Sequence, residues 1–434
     1  MPSRAPERPR TRAGALPLLA VLVAAFVSRA GNAITAIAVP LYVFADTGSA
    51  LATGTAGVFA TLPVVIGGSL GGALIDRLGY RLSSIAADLA SGLTVLALPI
   101  LAATTGLPFW LLLLLVFLSG LLDAPGDTAK TVMLPELAER AAVPLARAAG
   151  AQAAVQRSAS MVGAALAGML IGVVGAPGAL YVNAATFAVS AVLVAALIPR
   201  MRRAEASAAA PVAADGMPDG EPDGYWRGFA AGLRFLWSNA LLRGIVLLVM
   251  LTNAIDTAGL TVIFPVYATE RLGSASALGF LVASFMGGAL LGAVVFAAVG
   301  HRVAGRGLFV LFFVLAGLPP YLAMAFEVPF PVLLGVLAFS GLAAGGINPM
   351  VSTALFGLIP APMRARVFGS MTAGVAAAMP LGAFLGGVGV TALGLQPTLL
   401  IAAGVYALAA LSPLFGQHWR GLAALPQAAP AERA

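Results

Sequence analysis

Two ionisable residues lie deep inside long apolar stretches, where a charge is costly and therefore rare. Arg29 lies about 16 Å along the run that starts at Leu18, and Asp256 about 18 Å along the run that starts at Gly244, at a rise of roughly 1.5 Å per helical residue. A charge at the centre of a bilayer costs about 2.5–3.5 kcal/mol on insertion scales, so such residues usually face a cavity or a partner. Both are therefore candidates for ion binding or proton transfer.

Amide and carboxylate side chains accompany these charges at helical spacing. Asn32 lies three residues from Arg29, and Asn253 lies three residues from Asp256. Residues three or four apart lie on the same face of a helix, so each charged side chain shares a face with an asparagine amide.

A second acidic face is predicted on another apolar segment. Asp123 and Asp127 are four residues apart, which places both carboxylates on one side of a helix. This pair is a further candidate for proton transfer.

The composition of the whole chain places these residues in a membrane protein. Of 434 residues, 60% are hydrophobic and only 9% are charged, whereas a soluble domain carries roughly 25% charged residues. The sequence has no cysteine, which excludes disulfides and thiol chemistry, and its two histidines, His301 and His418, fall in polar connectors. We therefore expect no metal site and no cofactor. The net charge of +7 fits basic membrane loops better than nucleic-acid binding.

Twelve apolar runs are long enough to cross a bilayer, which needs about 20 residues as a helix. The sequence thus predicts an all-α membrane protein with twelve transmembrane helices. The runs are Leu18–Tyr42, Gly54–Ile75, Leu82–Ala103, Phe109–Met133, Val155–Val174, Leu180–Ile198, Gly244–Tyr267, Leu278–Val299, Leu308–Phe326, Phe330–Leu358, Val367–Leu393 and Leu399–Phe415.

Arginines in the connectors predict the orientation, because cytoplasmic loops carry the excess of positive charge. With a cytoplasmic N-terminus, the outer connectors hold only Arg271, beside Glu270. We therefore expect a multi-pass protein of the bacterial inner membrane with both termini in the cytoplasm. The inner connectors then hold Arg77, Arg81, Arg140, Arg147, Arg200, Arg202, Arg203, Arg227, Arg234, Arg302, Arg306, Arg364, Arg366 and Arg420.

One long hydrophilic stretch divides the chain. Met201–Gly224 is rich in Ala, Pro, Gly and Asp and lacks hydrophobic periodicity, which is typical of a flexible linker. Residues 225–243 alternate large apolar side chains with arginine, which favours an amphipathic helix on the inner membrane face. The predicted organisation is a six-helix half over residues 1–200, a cytoplasmic linker over 201–224, and the amphipathic helix with a second six-helix half over 225–434.

The two halves are internal repeats. Val39–Tyr42 aligns with Phe264–Tyr267 at an offset of 225 residues, and the same offset aligns two arginines and a proline of the connectors. Gly163 and Gly168 align with Gly382 and Gly387 at an offset of 219. Matching basic loops require the same orientation in both copies, so each copy holds an even number of spans.

The connector after the second run carries a specific motif. Gly72, Asp76, Arg77, Gly79 and Arg81 follow the spacing Gly-x3-Asp-Arg-x-Gly-x-Arg. This resembles the signature cytoplasmic loop of the major facilitator superfamily. The resemblance implies two parallel six-helix halves, with a substrate site at their interface near the midplane.

The motif also has a physical interpretation as a cytoplasmic gate. Asp76 is expected to cap a neighbouring helix or to pair with arginine, which would latch the inward face shut. Asp88 lies near the same edge and is expected to join this network. The second repeat has His301 in the place of Asp76, which predicts asymmetric gating.

Further segments resemble exporters within that superfamily. Gly163 and Gly168 resemble the glycine-rich fifth helix of drug:proton antiporters, although Ala164 stands where that motif has proline. Asp123–Lys130 and Arg364–Gly369 resemble the macrolide-efflux and siderophore-export subgroup. Small residues at this spacing also serve as plain helix-packing sites, which is our expectation for Gly163, Gly168, Gly382 and Gly387.

Other function classes have less support in the sequence. No phosphate-binding loop of the Gly-x4-Gly-Lys type is present, so the chain does not itself hydrolyse ATP. Gly67–Gly71 matches Gly-x-Ser-x-Gly by letter, but it lies in an apolar helix without a nearby histidine, so we expect no enzyme activity. A nutrient or metabolite importer on the same fold stays an open alternative, because the architecture runs in either direction.

The sequence therefore predicts a secondary exporter of small amphipathic molecules, with protons as the coupling ion and sodium as an open alternative. The resemblance implies that helices 1, 4, 7 and 10 line the cavity, and helix 10 contributes Asn348. We expect Asp256 to carry the proton and Arg29 to be its counter-charge or an anion-binding group. Two alternatives stay open: a fixed Arg29–Asp256 ion pair, and Asp123 as the proton carrier. We expect a monomer in the bilayer.

Overall fold

A computed structural model of the protein describes residues 12–199, 222–299, 305–360, 363–417 and 419, and these form helices joined by short connectors. The α-helices are α1 (Arg12–Thr47), α2 (Ala50–Leu78), α3 (Tyr80–Thr104), α4 (Phe109–Arg140), α5 (Leu145–Leu197), α6 (Pro222–Ser238), α7 (Ala240–Ala258), α8 (Phe264–Glu270), α9 (Ala277–Val299), α10 (Arg306–Ala325), α11 (Phe330–Leu358), α12 (Arg364–Leu393) and α13 (Leu395–Leu411). A π-helical segment, Gly259–Ile263, joins α7 to α8.

Ten helical segments of the described residues are long and apolar enough to cross a membrane, with α7, the π-helical segment and α8 counted as one. Helix α2 contributes a further, shorter apolar segment, Ala50–Ile66. The all-helical, multi-pass architecture expected from the sequence is therefore confirmed.

Helix α5 contains two segments. It has 53 residues, which would extend about 80 Å as one straight helix, against a hydrocarbon core of roughly 30 Å. Gly175 breaks it, with φ 74° and ψ 171°, a backbone conformation that favours glycine. The break falls between the predicted runs Val155–Val174 and Leu180–Ile198, so the two arms correspond to two predicted spans.

Several helix ends differ from the sequence prediction. Helix α4 continues to Arg140, and α5 begins at Leu145, about ten residues before its predicted start. Hydropathy marks the part of a helix that lies in lipid, whereas the backbone stays helical into the polar region beyond it. The predicted amphipathic helix ends at Ser238 rather than at residue 243, because the Asn239 side chain caps α7 by accepting hydrogen bonds from two backbone N–H groups at 3.1 Å.

Equivalent glycines pack the first helix of each half. A Cβ atom on Gly163 of α5 would lie 2.3 Å from the Ala30 carbonyl oxygen of α1. A Cβ atom on Gly382 of α12 would lie 1.9 Å from the Ala254 carbonyl oxygen of α7. The two halves therefore share a backbone-to-backbone contact that only glycine permits.

The two halves approach each other closely at one end of the bundle, here called the distal end, where α1 ends and α9 begins. A Cβ atom on Gly168 of α5 would lie 2.8 Å from the Ser276 carbonyl oxygen, and one on Gly387 of α12 would lie 2.9 Å from the Ala50 carbonyl oxygen. Gly54 and Gly279 complete these two contacts from the opposite half. Small residues thus hold the halves together at the distal end.

Candidate transport site

A cavity of about 450 Å³ lies within the C-terminal half. Its lining comes from α7 to α13 with the π-helical segment, and none of the lining residues belongs to α1–α5. Six of the lining side chains are aromatic, and the polar ones are few. The aromatic residues are Phe264, Phe285, Phe313, Tyr321, Phe368 and Tyr406, and the polar aliphatic residues are Thr252, Asn253, Asp256, Asn348 and Ser352.

Among the residues that the structure describes, Asp256 is the only carboxylate that lines this cavity. Its side chain is exposed to the cavity, whose walls are mostly apolar. No hydrogen bond or ion pair joins it to another residue in the described part of the chain. A carboxylate in such surroundings has lost much of its hydration without gaining a counter-charge.

Two amides flank this carboxylate along the cavity wall. Asn253 donates from Nδ2 to the Val249 carbonyl oxygen at 2.8 Å, so its amide nitrogen is held by its own helix. Asn348 of α11 is exposed to the cavity. The structure thus brings Asn253, Asp256 and Asn348 together, but it leaves the other predicted cavity residues elsewhere.

Arg29 and Asn32 of α1 lie in the N-terminal half and contact α4. Arg29 Nη2 forms an ion pair with Asp127 Oδ2 at 2.8 Å, and Asn32 Nδ2 donates to Asp123 Oδ2 at 2.8 Å. The expected pairing of Arg29 with Asp256 is therefore wrong for this structure. The physical reason is that α1 packs beside α4 within one half. Arg29 and Asn32, three residues apart on α1, therefore face Asp123 and Asp127, four residues apart on α4.

A second ion pair of the N-terminal half is fully buried. Lys130 Nζ lies 2.8 Å from Asp88 Oδ1, and the two side chains are 2% and 0% exposed. The Ser190 hydroxyl donates to the other oxygen, Asp88 Oδ2, at 2.7 Å. Asp88 therefore lies inside the half rather than at the predicted cytoplasmic gate. The sequence signal was Lys130, the only lysine of the chain.

Charge is almost balanced in this polar network of five ionisable side chains. Arg29 is paired with Asp127 and Lys130 with Asp88, which leaves Asp123 without a cation. Asp123 Oδ1 is buried and has no hydrogen-bond partner among the described residues. Among the described residues, each half therefore holds one intramembrane carboxylate that lacks a cationic partner: Asp123 in the first and Asp256 in the second.

The gate motif is only partly described. The side chains from Gly72 to Arg77 lie outside the described part of the chain, so the latch role of Asp76 stays a prediction. Gly79 has a φ of 77° and forms the turn between α2 and α3. Arg81 donates to the Ala195 carbonyl oxygen of α5 within the same half. His301, the counterpart of Asp76, lies outside the described residues.

The described residues contain no group of three imidazole or carboxylate side chains arranged to hold a metal ion. The aromatic wall of the cavity is a feature that sequence reasoning missed. Tyr321 and Tyr406 come from α10 and α13. They line the same cavity as Asp256 only because these two helices pack near α7, and hydropathy does not reveal which helices pack together.

Comparisons with known proteins agree with the multi-pass helical fold. The family model described as Major Facilitator Superfamily matches residues 21–267 and 246–432. The multidrug efflux pump Tap of Mycolicibacterium fortuitum is 32% identical over 387 residues, covering 88% of this chain and 91% of that protein. The multidrug efflux pump Tap of Mycobacterium tuberculosis (strain ATCC 25618 / H37Rv) is 31% identical over 393 residues, covering 89% and 90%.

Solved structures with low sequence identity share the fold. The nucleoside transporter NupG superposes with a TM-score of 0.71 at 14% identity, covering 91% of this chain and 97% of that one. A bacterial homologue of the human lysosomal transporter Spinster, solved in an inward-facing and unoccupied conformation, gives a TM-score of 0.58 at 14% identity, with 92% and 97% coverage.

Proposed function

The chain belongs to the Major Facilitator Superfamily, and we propose that it exports small amphipathic molecules from the bacterial cytoplasm in exchange for protons. It is a membrane transporter and not an enzyme. Relatives that share nearly the whole chain are multidrug efflux pumps, which supports efflux as the direction of transport.

One observation carries the substrate side of this proposal: a mostly apolar, aromatic cavity of about 450 Å³ that contains a single carboxylate. Cavities of roughly 300–1,000 Å³ with apolar walls and a few polar groups suit drug-sized ligands. Aromatic faces attract flat apolar rings and cations, and the Asp256 carboxylate attracts a positively charged group. The cavity therefore favours amphipathic molecules that carry an aromatic body and a basic group.

The coupling side of the proposal rests on the missing counter-charge of Asp256. A carboxylate in an apolar cavity is stabilised either by a proton or by a cationic ligand. Binding of a proton opposes binding of a cationic ligand, and this thermodynamic linkage is what exchange of substrate for protons requires. Asp256 would then release its proton to the cytoplasm as it takes up substrate there, and regain a proton on the opposite side as the substrate leaves. Asp123 is the alternative carrier, because it also lacks a cation.

The arrangement of the halves supports an alternating-access cycle. The ten spans of the described residues count α5 once. Its second arm and helix α2 bring the number of passes to twelve, which fits both termini in the cytoplasm. Under this topology the distal end faces outward, and the glycine contacts of Gly168 and Gly387 close it. Opening this end would require the halves to rock apart there.

Export of ethidium, a monocationic aromatic dye, tests the function. Cells that express the protein should lose preloaded ethidium faster than cells with the empty vector, and a protonophore should abolish the difference. Asp256→Asn should remove the energised efflux at an equal protein level. Glu327→Gln is a matched control, because it removes an exposed carboxylate of the same half that pairs with Arg271 at 3.1 Å. Energised efflux by Asp256→Asn at the wild-type rate would contradict the role of Asp256.

A further inference from the structure

The helix that carries Asp256 changes its geometry directly after that residue. Helix α7 ends at Ala258, and the π-helical segment Gly259–Ile263 follows, in which the Phe264 N–H donates to the Gly259 carbonyl oxygen five residues back. Wide turns of this kind are rare in helices and are often found at functional sites.

Tyr321 of α10 contacts α7 at this point. Its hydroxyl donates to the Ile255 carbonyl oxygen at 2.9 Å. That carbonyl belongs to the peptide unit whose N–H is that of Asp256. The Gly259 N–H is shared between the carbonyl oxygens of Ile255 and Asp256, so the Ile255 carbonyl accepts from both the helix and Tyr321.

Gly259 provides the space for the Tyr321 hydroxyl. A Cβ atom on Gly259 would lie 2.6 Å from Tyr321 Oη, closer than real Cβ contacts allow, and 3.3 Å from the Phe264 ring. Tyr321 itself is 2% exposed and packs against the rings of Phe264 and Tyr406 at centroid distances of 5.8 and 6.5 Å. Its hydroxyl therefore has little freedom to move away from α7.

The first half lacks this contact. At the 225-residue offset of the repeat, Ile34 and Leu96 take the places of Gly259 and Tyr321, and α1 is α-helical throughout that region. The contact is therefore not part of the shared scaffold. It accompanies the carboxylate that faces the cavity.

We infer that Tyr321 is a positioning residue for Asp256: its hydroxyl occupies the notch at Gly259, binds the Ile255 carbonyl, and fixes where the Asp256 carboxylate stands in the cavity. The inference rests on the proposed function only for the role of Asp256 in coupling. The notch and the hydrogen bond are tested without it.

A double-mutant cycle on thermal stability tests the notch and requires no ligand. Gly259→Ala should lower the melting temperature, because the new Cβ collides with the Tyr321 hydroxyl. Tyr321→Phe removes the hydroxyl, so the double variant should melt close to Tyr321→Phe alone, a strongly non-additive result. Gly404→Ala is the matched control, because a Cβ there meets nothing within 4 Å. Additive losses in the double variant would overturn the notch.

The positioning role needs a readout that a purely structural contact would not move. The titratable groups that line the cavity are Asp256, Tyr321 and Tyr406, from α7, α10 and α13. The part of the pH dependence of the melting temperature that Asp256→Asn abolishes reports on this carboxylate. The pH at the midpoint of this Asp256-dependent change should shift in Tyr321→Phe. It should not shift in Tyr181→Phe, a control that removes an exposed hydroxyl. An unshifted midpoint in Tyr321→Phe would overturn the positioning role.

Ethidium efflux separates failure of this inference from failure of the proposed function. We expect Gly259→Ala to reduce energised efflux about tenfold or more, and Tyr321→Phe to restore it in the double variant to within about twofold of Tyr321→Phe. Absence of efflux by the wild type would refute the proposed function and leave the stability cycle valid. Efflux by the wild type without rescue in the double variant would refute the positioning role alone.

Discussion

The two halves of this transporter share a scaffold and differ in whether their intramembrane carboxylates are paired with cations. Of the three described intramembrane carboxylates of the N-terminal half, two are paired with cations, Asp127 with Arg29 and Asp88 with Lys130, both at 2.8 Å. In the C-terminal half, Asp256 stands alone in an apolar cavity. The difference indicates a division of labour, in which one half is held together by its charges and the other exposes a charge to ligands.

The cavity described above belongs to the C-terminal half, in which the Asp256 carboxylate is unpaired among the described residues. In the N-terminal half, ion pairs and a hydrogen bond join α1, α3 and α4. In the second half, aromatic side chains line a space of about 450 Å³ instead.

Removing the cation of the buried pair should have the largest effect. Lys130→Met leaves Asp88 buried with only the Ser190 hydroxyl as a partner, so we expect a loss of about 3–5 kcal/mol of folding stability. Thermal unfolding in detergent, followed by fluorescence size-exclusion, measures this loss.

Arg140→Met is the matched control, because its pair with Glu136 on the same helix is largely exposed and should contribute little. Combining Lys130→Met with Asp88→Asn should recover most of the stability. If Lys130→Met were as stable as the wild type, the N-terminal half would not depend on its buried charges.

Filling the equivalent glycine contacts of the two halves should lower folding stability by similar, intermediate amounts. Gly163→Ala and Gly382→Ala each place a Cβ within 2.3 Å or less of a carbonyl oxygen on the partner helix. We expect each to cost about 1–3 kcal/mol, as overpacking generally does. Gly404→Ala, where space is open, should leave the melting temperature unchanged or raise it. A loss confined to one half would contradict equivalent packing.

The sequence predicted the scaffold better than the site, and the reasons are physical. Apolar run length and loop arginine depend on local composition, so the spans and the break near Gly175 were predictable. The partner of Arg29 was not, because residues at equal depth on two helices touch only if those helices pack together. The bond of Tyr321 to a backbone carbonyl leaves no trace in residue type or spacing.

Breaking the partly exposed pair of Arg29 and Asp127 should have the smallest effect. The side chains of Arg29 and Asp127 are 31% and 25% exposed, so solvent weakens their attraction. We expect Arg29→Gln to cost about 1 kcal/mol or less. A double-mutant cycle with Asp127→Asn measures the coupling between them. A coupling as large as that of Lys130 and Asp88 would show that the two pairs act as one network.

Proton release on ligand binding tests the central claim, that Asp256 exchanges a proton for substrate. Ethidium added to the purified protein in weak buffer with a pH-sensitive dye should release about one proton per bound ethidium from the wild type. Asp123→Asn should release the same number, and Asp256→Asn should release none while still binding the dye. Release that persists in Asp256→Asn and disappears in Asp123→Asn would contradict the account and assign coupling to the N-terminal half.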